Sequence, residues 1–370
     1  GTFTVTDTLN AAGPTDLINT GTANIDGDFS GLLDINNSGD LTLADGVGLS
    51  GTNFQSTDGT VALGAGAQLN TTGTTFNNGA ALDLGAGATI NHANTIVNSG
   101  TITVNGAGAT ITSDTGTINN NGGTLAVEAG SVTVSGNVSN NGGTIGIGSA
   151  GVGSATIIGN LNNTGGQVDL ATGAGGTGDQ LIVNGNITSA GTYQFNIDLQ
   201  GRTADVLTLN GATTGGQVEL VFDTAGQNTG LFGAPITVAR GTGATLANFT
   251  FDDAPFDNSP LVEYRLEERG DTLVLSNLVD PAIGALSGNF ALVQSLLGSV
   301  INRPSSPFVS GLAFEDDDPC GSGTWTRIQG GSATATGDTD SGGVVLSATV
   351  DATFSGLQVG YDFGCFNAAA

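Results

Sequence analysis

Along the first 170 residues the apolar positions fall in short alternating strands, each opened by a polar or glycine-rich turn: "GDLTL", "GTVAL", "AALDL", "GTITV", "GTLAV", "GTIGI" and "GQVDL". Aligned on the first apolar residue of each, Leu41, Val61, Leu82, Ile102, Leu125, Ile145 and Val168 follow one another at steps of 20, 21, 20, 23, 20 and 23 residues. Each unit reads as a turn, a strand with period two, a second turn and a second short strand, such as "ATI" at 88–90 and 109–111 or "SVTV" at 131–134. A period of this length marks a solenoid. No helical periodicity is present from residue 1 to about 275, and the L-x-x-L-x-L frame of leucine-rich repeats is missing. The pattern predicts an all-β fold, a right-handed parallel β-helix with two or three strands per coil. Val, Ile and Leu would point inward. Thr, Ser and Asn would point outward, and Gly and Asn would take the corners. Coils about 4.8 Å apart give about 13 coils and a rod of roughly 60 Å.

From about residue 180 the period loosens and aromatic residues enter, so 1–279 reads as the β-helix with a distinct C-terminal junction at about 180–279. Within it, "LVEYRLEERGDTLVLSNL" (261–278) reads as a hairpin whose tight turn carries "RGD" at 269–271. The tripeptide sits where a turn is needed anyway, so integrin binding is disfavoured. Ile283, Leu286, Phe290, Val293, Leu297 and Val300 then follow at steps of 3, 4, 3, 4 and 3, one apolar stripe on a helix. Pro281 opens it and Arg303–Pro304 close it, giving a linker helix over 280–304. Its Ser, Gly, Asn and Gln make it too polar for lipid and suit packing against protein or threading through a polar lumen. In 305–370, "GTWTRIQGGSATATG" (323–337) and "TFSGLQVGYDFGCF" (353–366) read as two strands of a short antiparallel hairpin. In the second, Leu357, Val359, Tyr361, Phe363 and Cys365 alternate with Gln358, Gly360, Asp362 and Gly364. That is the pattern of an outer-membrane barrel strand, and two strands cannot close a barrel.

Charge narrows the partners. The chain has 33 acidic and 6 basic residues, a net of −27, with no lysine and no arginine before Arg202. Such a surface repels nucleic-acid backbones and anionic lipid. It suits an extracellular body held apart from its neighbours. The absence of methionine points to a processed or truncated piece of a longer exported protein.

Candidate chemistry is sparse, and no catalytic residue, cofactor or metal ligand is assigned. "NNGG" reads as a corner with stacked asparagines. "GGTGDQLIV" (175–183) is the nearest approach to a calcium-binding glycine-rich repeat, with Asp179 one residue early and no tandem copy. "FDDAPFDN" (251–258) and "EDDDP" (315–319) could hold a hard cation but read as solvated acidic loops. "TDSGGVV" (339–345) looks like the serine motif of trypsin-like proteases, yet a triad needs a histidine beside Ser341. The only histidine is His92, in the repeats, where a solvated corner is the plain expectation. A glycosidase or lyase site lacks paired acids in a groove, and the single tryptophan, Trp325, lies outside the repeats. Cys320 and Cys365 flank the two hairpin strands; an oxidising compartment would allow a disulfide between them, and two free thiols are the alternative.

The order of β-helix, lumen-type helix and first barrel strands resembles the autotransporter proteins of Gram-negative bacteria (type V secretion). The stretches that carry the likeness are "GTWTRIQGG", "GLQVGYDFGCF" and the junction-like "YRLEERGDTLVL". The resemblance covers the whole chain in architecture and about 180–366 at the level of motifs. It implies a passenger carried to the bacterial outer membrane and cell surface, often an adhesin, with a C-terminal core that folds first during secretion. The expected function is therefore a structural or adhesive surface passenger without catalysis, translocated by its own C-terminal barrel. Its partners would be host surface or matrix molecules, or other copies of itself. Two alternatives stay open: the stalk of a passenger enzyme lying N-terminal to this chain, and a self-assembling surface fibre or layer.

Overall fold

In the computed structural model of the chain, the seven aligned apolar positions form one continuous column. Leu41 pairs with Val61, Val61 with Leu82, Leu82 with Ile102, Ile102 with Leu125, Leu125 with Ile145 and Ile145 with Val168, every step parallel. The structure describes residues 2–7, 9–172, 176–189, 191–224, 233–256, 262–279, 293–294, 320–341 and 344–365. Their contacts divide the chain into two units, 1–259 with 264–277, and 260–263 with 278–370.

The first unit is a parallel β-solenoid. Its first sheet stacks twelve strands, from Thr2–Val5 to Phe249–Phe251, and the solenoid makes about 9 turns, fewer than the roughly 13 coils expected from length. After each of these short strands, eight of them four residues long, the chain turns and enters a second sheet. There it makes one strand that bends partway, as in Ala109–Asn121 and Gly130–Asn141, or two short strands, as in Thr89–His92 and Ile96–Asn98. The bend shows as a register shift between Thr112 and Thr117. The alternating pattern produces the layers directly. In "TITV" (Thr101–Val104), Ile102 and Val104 are buried and the threonines half-buried. Each rung therefore contributes two inward aliphatic side chains from the first sheet, and burying each one stabilises by about 1.5–3 kcal/mol.

The expectation that asparagines point outward fails for one column. Asn19, Asn37, Asn78, Asn98, Asn120, Asn140 and Asn163 are all buried. They stand at the last inward position of the second sheet, where the chain must turn back toward the first. A short amide can fill that site while binding the turn's backbone.

In the C-terminal coils the rungs change character. Tyr193, Phe195, Phe222, Phe249 and Phe256 are buried in place of Val and Ile. Parallel stacking then gives way to antiparallel pairing, Ile236–Arg240 against Thr272–Val279. The strands Val262–Arg269 and Thr272–Val279 bear out the hairpin expected at 261–278.

The second unit contains a two-stranded antiparallel sheet, Cys320–Ser341 with Val344–Cys365, in unbroken register from Cys320 opposite Cys365 to Ser341 opposite Val344. The expected hairpin is there, but it is not short, since each strand has 22 residues. Extended chain of that length reaches about 75 Å. The linker helix of 280–304 lies outside the described residues except for Val293 and Gln294, which are helical. Among the described residues no helix is long and apolar enough to cross a membrane.

Candidate functional site

The "NNNGGT" corner shows what the repeated polar turns do. Asn119 is half-exposed on the outer face and Asn120 is buried, while Asn121 is exposed at the corner. Gly122 takes a left-handed φ of 72°, and a Cβ on Gly123 would lie 2.7 Å from the carbonyls of Asn98 and Gly100. The two glycines thus serve different needs, one a backbone angle and one a close approach. The buried amides form a ladder. Asn78 Nδ2 donates to Asn98 Oδ1 at 2.9 Å, Asn98 to Asn120 at 2.8 Å, Asn120 to Asn140 at 2.8 Å and Asn140 to Asn163 at 2.7 Å. The same Nδ2 groups also donate to backbone carbonyls that open later strands, Thr101, Thr124, Thr144 and Gln167. Ser56 interrupts the run. It accepts from Asn37 at 3.3 Å, and Asn78 Oδ1 is left without a partner. The stacked corner expected from sequence is present, with its amides turned into the core rather than toward a ligand.

His92 corrects the solvated-corner expectation. It is the last residue of the strand Thr89–His92 and is fully buried. Its Nδ1 shares a 2.8 Å hydrogen bond with the Thr71 hydroxyl, and its ring lies 5.6 Å from that of Phe76, which stacks at 4.6 Å on Phe54. Burial holds the imidazole below its ordinary pKa, against the raising pull of Thr71 and the Asp114 charge. The imidazole is thus sealed in the solenoid core rather than set at a solvated corner.

Asp179 is also buried, and its Oδ1 accepts the Gly153 N–H at 2.7 Å. One coil later Asp205, fully buried, accepts from the N–H groups of Gly178, Asp179 and Asn196 at 2.9, 2.9 and 2.7 Å. Burial raises Asp179 to about 6 and Asp205 to about 7. The hydrogen bonds oppose both shifts, and Asp179 adds to that of Asp205 by repulsion. These carboxylates hold backbone, which is a structural use of the stretch resembling a calcium repeat. Asp205 escaped the sequence reading. Its signal is the alignment of "DQLIV" with "DVLTL", 26 residues on, which the register confirms by pairing Gln180 with Val206. Among the described residues no group of three or more His, Cys, Asp or Glu could hold a metal ion.

At 269–271, Gly270 is left-handed (φ 61°) and Arg269 pairs with Glu267 at 3.1 Å. Asp252 Oδ1 caps the Ala254 N–H at 3.1 Å in the 3₁₀ turn region, local use of an acidic loop. On the hairpin, Ile328, Leu357, Val359 and Tyr361 are exposed. They share one face, since Ile328 stands opposite Leu357, Thr326 opposite Val359 and Thr324 opposite Tyr361. Toward the turn the same face becomes polar, with Ser332 opposite Thr353 and Thr334 donating to Asp351 at 2.7 Å. The strand register sets Cys320 and Cys365 opposite each other.

No family model matches the chain, and no curated protein and no solved structure is similar to it.

Proposed function

We propose that the chain is a bacterial cell-surface passenger of autotransporter type, a structural and adhesive body without catalysis. The observation that carries this reading is the sequel to the solenoid. It is a hairpin of two 22-residue strands with one face apolar at the open end and polar toward the turn. Strands of an outer-membrane barrel need an apolar band facing lipid and a polar stretch beyond it. The solenoid supplies length and lateral surface, and its histidine and its Asp179–Asp205 pair are buried where they can do no chemistry on a ligand. The oxidising exterior would then close Cys320 to Cys365, a spacing that paired antiparallel strands permit.

The test is display. The chain is joined in frame to a complete barrel in a Gram-negative host, and protease is added to intact cells. Loss of the solenoid from intact cells, with a periplasmic marker untouched, is expected. A solenoid protected until the outer membrane is opened would overturn the reading. Purified protein that cleaves a protein, lipid or polysaccharide in a broad screen would refute the absence of catalysis.

A further inference from the structure

The outer face of the second sheet carries a charge pattern that no single coil reveals. The register runs Phe29, Leu49, Leu69, Ile90, Ile111, Val134, Ile157, Val183 and Leu209 down one inward column. The outward residue just before each is Asp28, Gly48, Gln68, Thr89, Thr110, Thr133, Thr156, Ile182 and Thr208, and Arg240 follows as the partner of Thr208. The column on the other side of the inward residues is Ser50, Asn70, Asn91, Thr112, Ser135 and Ile158. Across these coils neither column holds a charge between its ends, in a chain whose net charge is −27. The acids of the middle coils, Asp83, Asp114 and Glu128, lie off both columns.

The two ends of the first column are opposite in sign. Asp28 is exposed, with one carboxylate oxygen accepting the Gly48 N–H at 2.8 Å. Arg240 is exposed and forms no ion pair among the described residues. Nine rungs separate them, about 43 Å at the strand spacing.

We propose that this face is where two copies of the chain associate, antiparallel and related by a two-fold axis near Thr110 and Thr133. An isologous contact brings each residue at one end of the patch against the residue at its other end on the partner copy. Asp28 of each copy therefore meets Arg240 of the other, once at each end. The uncharged middle, built mostly of threonine, serine, asparagine and glutamine with Gly48, Ile158 and Ile182 among them, lies between the two pairs. Two acidic solenoids repel each other through their surface acids, and this face lets them approach without like charges meeting while its two ends, Asp28 and Arg240, add pairs of opposite sign. The patch spans about 43 by 13–20 Å, roughly 560–860 Å² per copy, near the lower end of specific interfaces. The association is thus reversible and concentration-dependent. It concerns the solenoid alone and does not depend on the surface-display reading.

The experiment is sedimentation velocity on the purified 370-residue chain over a concentration series, with four samples and a central variant, Thr133→Arg, as a fifth. The four are wild type, Asp28→Arg, Arg240→Asp, and a 1:1 mixture of the two variants. Both sites are exposed, and unchanged circular dichroism and melting confirm that each variant folds. The expected result is a wild-type dimer, weakened about tenfold or more by each reversal and restored in the mixture. In a mixed dimer the two substituted positions face each other with their charges exchanged, while the unaltered Asp28 of one copy meets the unaltered Arg240 of the other. Both ends are then opposite in sign again. Thr133→Arg, at the centre, is expected to abolish the dimer. A monomer at every concentration would overturn the proposal. So would association indifferent to both reversals, as contact through the hairpin's apolar face would give, or a mixture no better than its components.

Discussion

The middle coils and the C-terminal coils use one backbone plan with two kinds of core. From Asn78 to Asn163 each rung is lined by small aliphatics, and the coil closes through a buried amide bonded to its neighbours above and below. From Tyr193 to Leu278 the amide ladder is replaced by aromatic packing. Phe222 lies 6.1 Å from Phe195, 6.4 Å from Phe251 and 6.0 Å from Phe256, and Phe256 stacks at 4.6 Å on Tyr264. The reason lies in position. A middle coil has a neighbour on both sides, so identical short side chains satisfy each other by stacking. The C-terminal coils must finish the core, and large rings together with antiparallel pairing cover what the next coil would have covered. Repetition is thus an economical way to extend a solenoid, and departure from repetition is how it stops.

The sharpest way to break the contrast is Phe222→Ala, which should cost about 3–5 kcal/mol. In a nearest-neighbour solenoid the loss stays local. Hydrogen exchange resolved along the chain should show lost protection over 193–278 and retained protection over 60–160. Simultaneous loss in both regions would mean that they form one cooperative unit. Next is Asn98→Leu. It takes the Asn98 donor from Asn120 Oδ1 and the Thr124 carbonyl and leaves Asn78 Nδ2 only its backbone acceptors, at about 2–4 kcal/mol for the lost bonds. Denaturant midpoints with an unchanged m-value would measure it, and a change under about 1 kcal/mol would strip the ladder of its role.

Acid and base should act on the two regions in opposite senses. His92 sits below its ordinary 6.5 in the folded state, so below that pH the unfolded chain binds the proton more readily and the middle coils lose stability. Asp179 and Asp205 sit above their ordinary 3.8, at about 6 and about 7. Their neutral forms suit the fold, and stability of the C-terminal coils is lost as pH rises from about 4 to about 7. Exchange protection, corrected for intrinsic chemistry, should therefore peak at lower pH over 176–224 than over 68–115. Coinciding peaks would refute the contrast. The smallest effect belongs to Asn119→Ser, one residue from the ladder but on the outer face, which should stay within about 0.5 kcal/mol of wild type in the same denaturant assay.

Much of the fold was legible because strand periodicity has only two phases. Once Leu41, Val61 and Leu82 were aligned, their neighbours had to face outward, and the register confirms every pair. Asparagine broke the rule because residue type does not state direction. Asn119 and Asn120 are chemically identical, and only the position of the turn decides which enters the core. His92 was misplaced for the same reason. The extent of the hairpin was underestimated because the threonine-, serine- and glycine-rich "GGSATATGDTDS" carries little apolar signal, though it pairs residue by residue with Val344–Ser355.

The sequence by itself determined that the chain coils, at what period, and which aliphatic residues line the core, because those follow from local spacing. Only the tertiary structure decided which amides and acids are buried, where the stack ends, and that Asp28 and Arg240 close the same column. Those facts depend on residues some 20 or more apart being placed one coil above another. Stacking turns a distance along the chain into a distance in space, and it is the second distance that sets hydrogen bonds and charges.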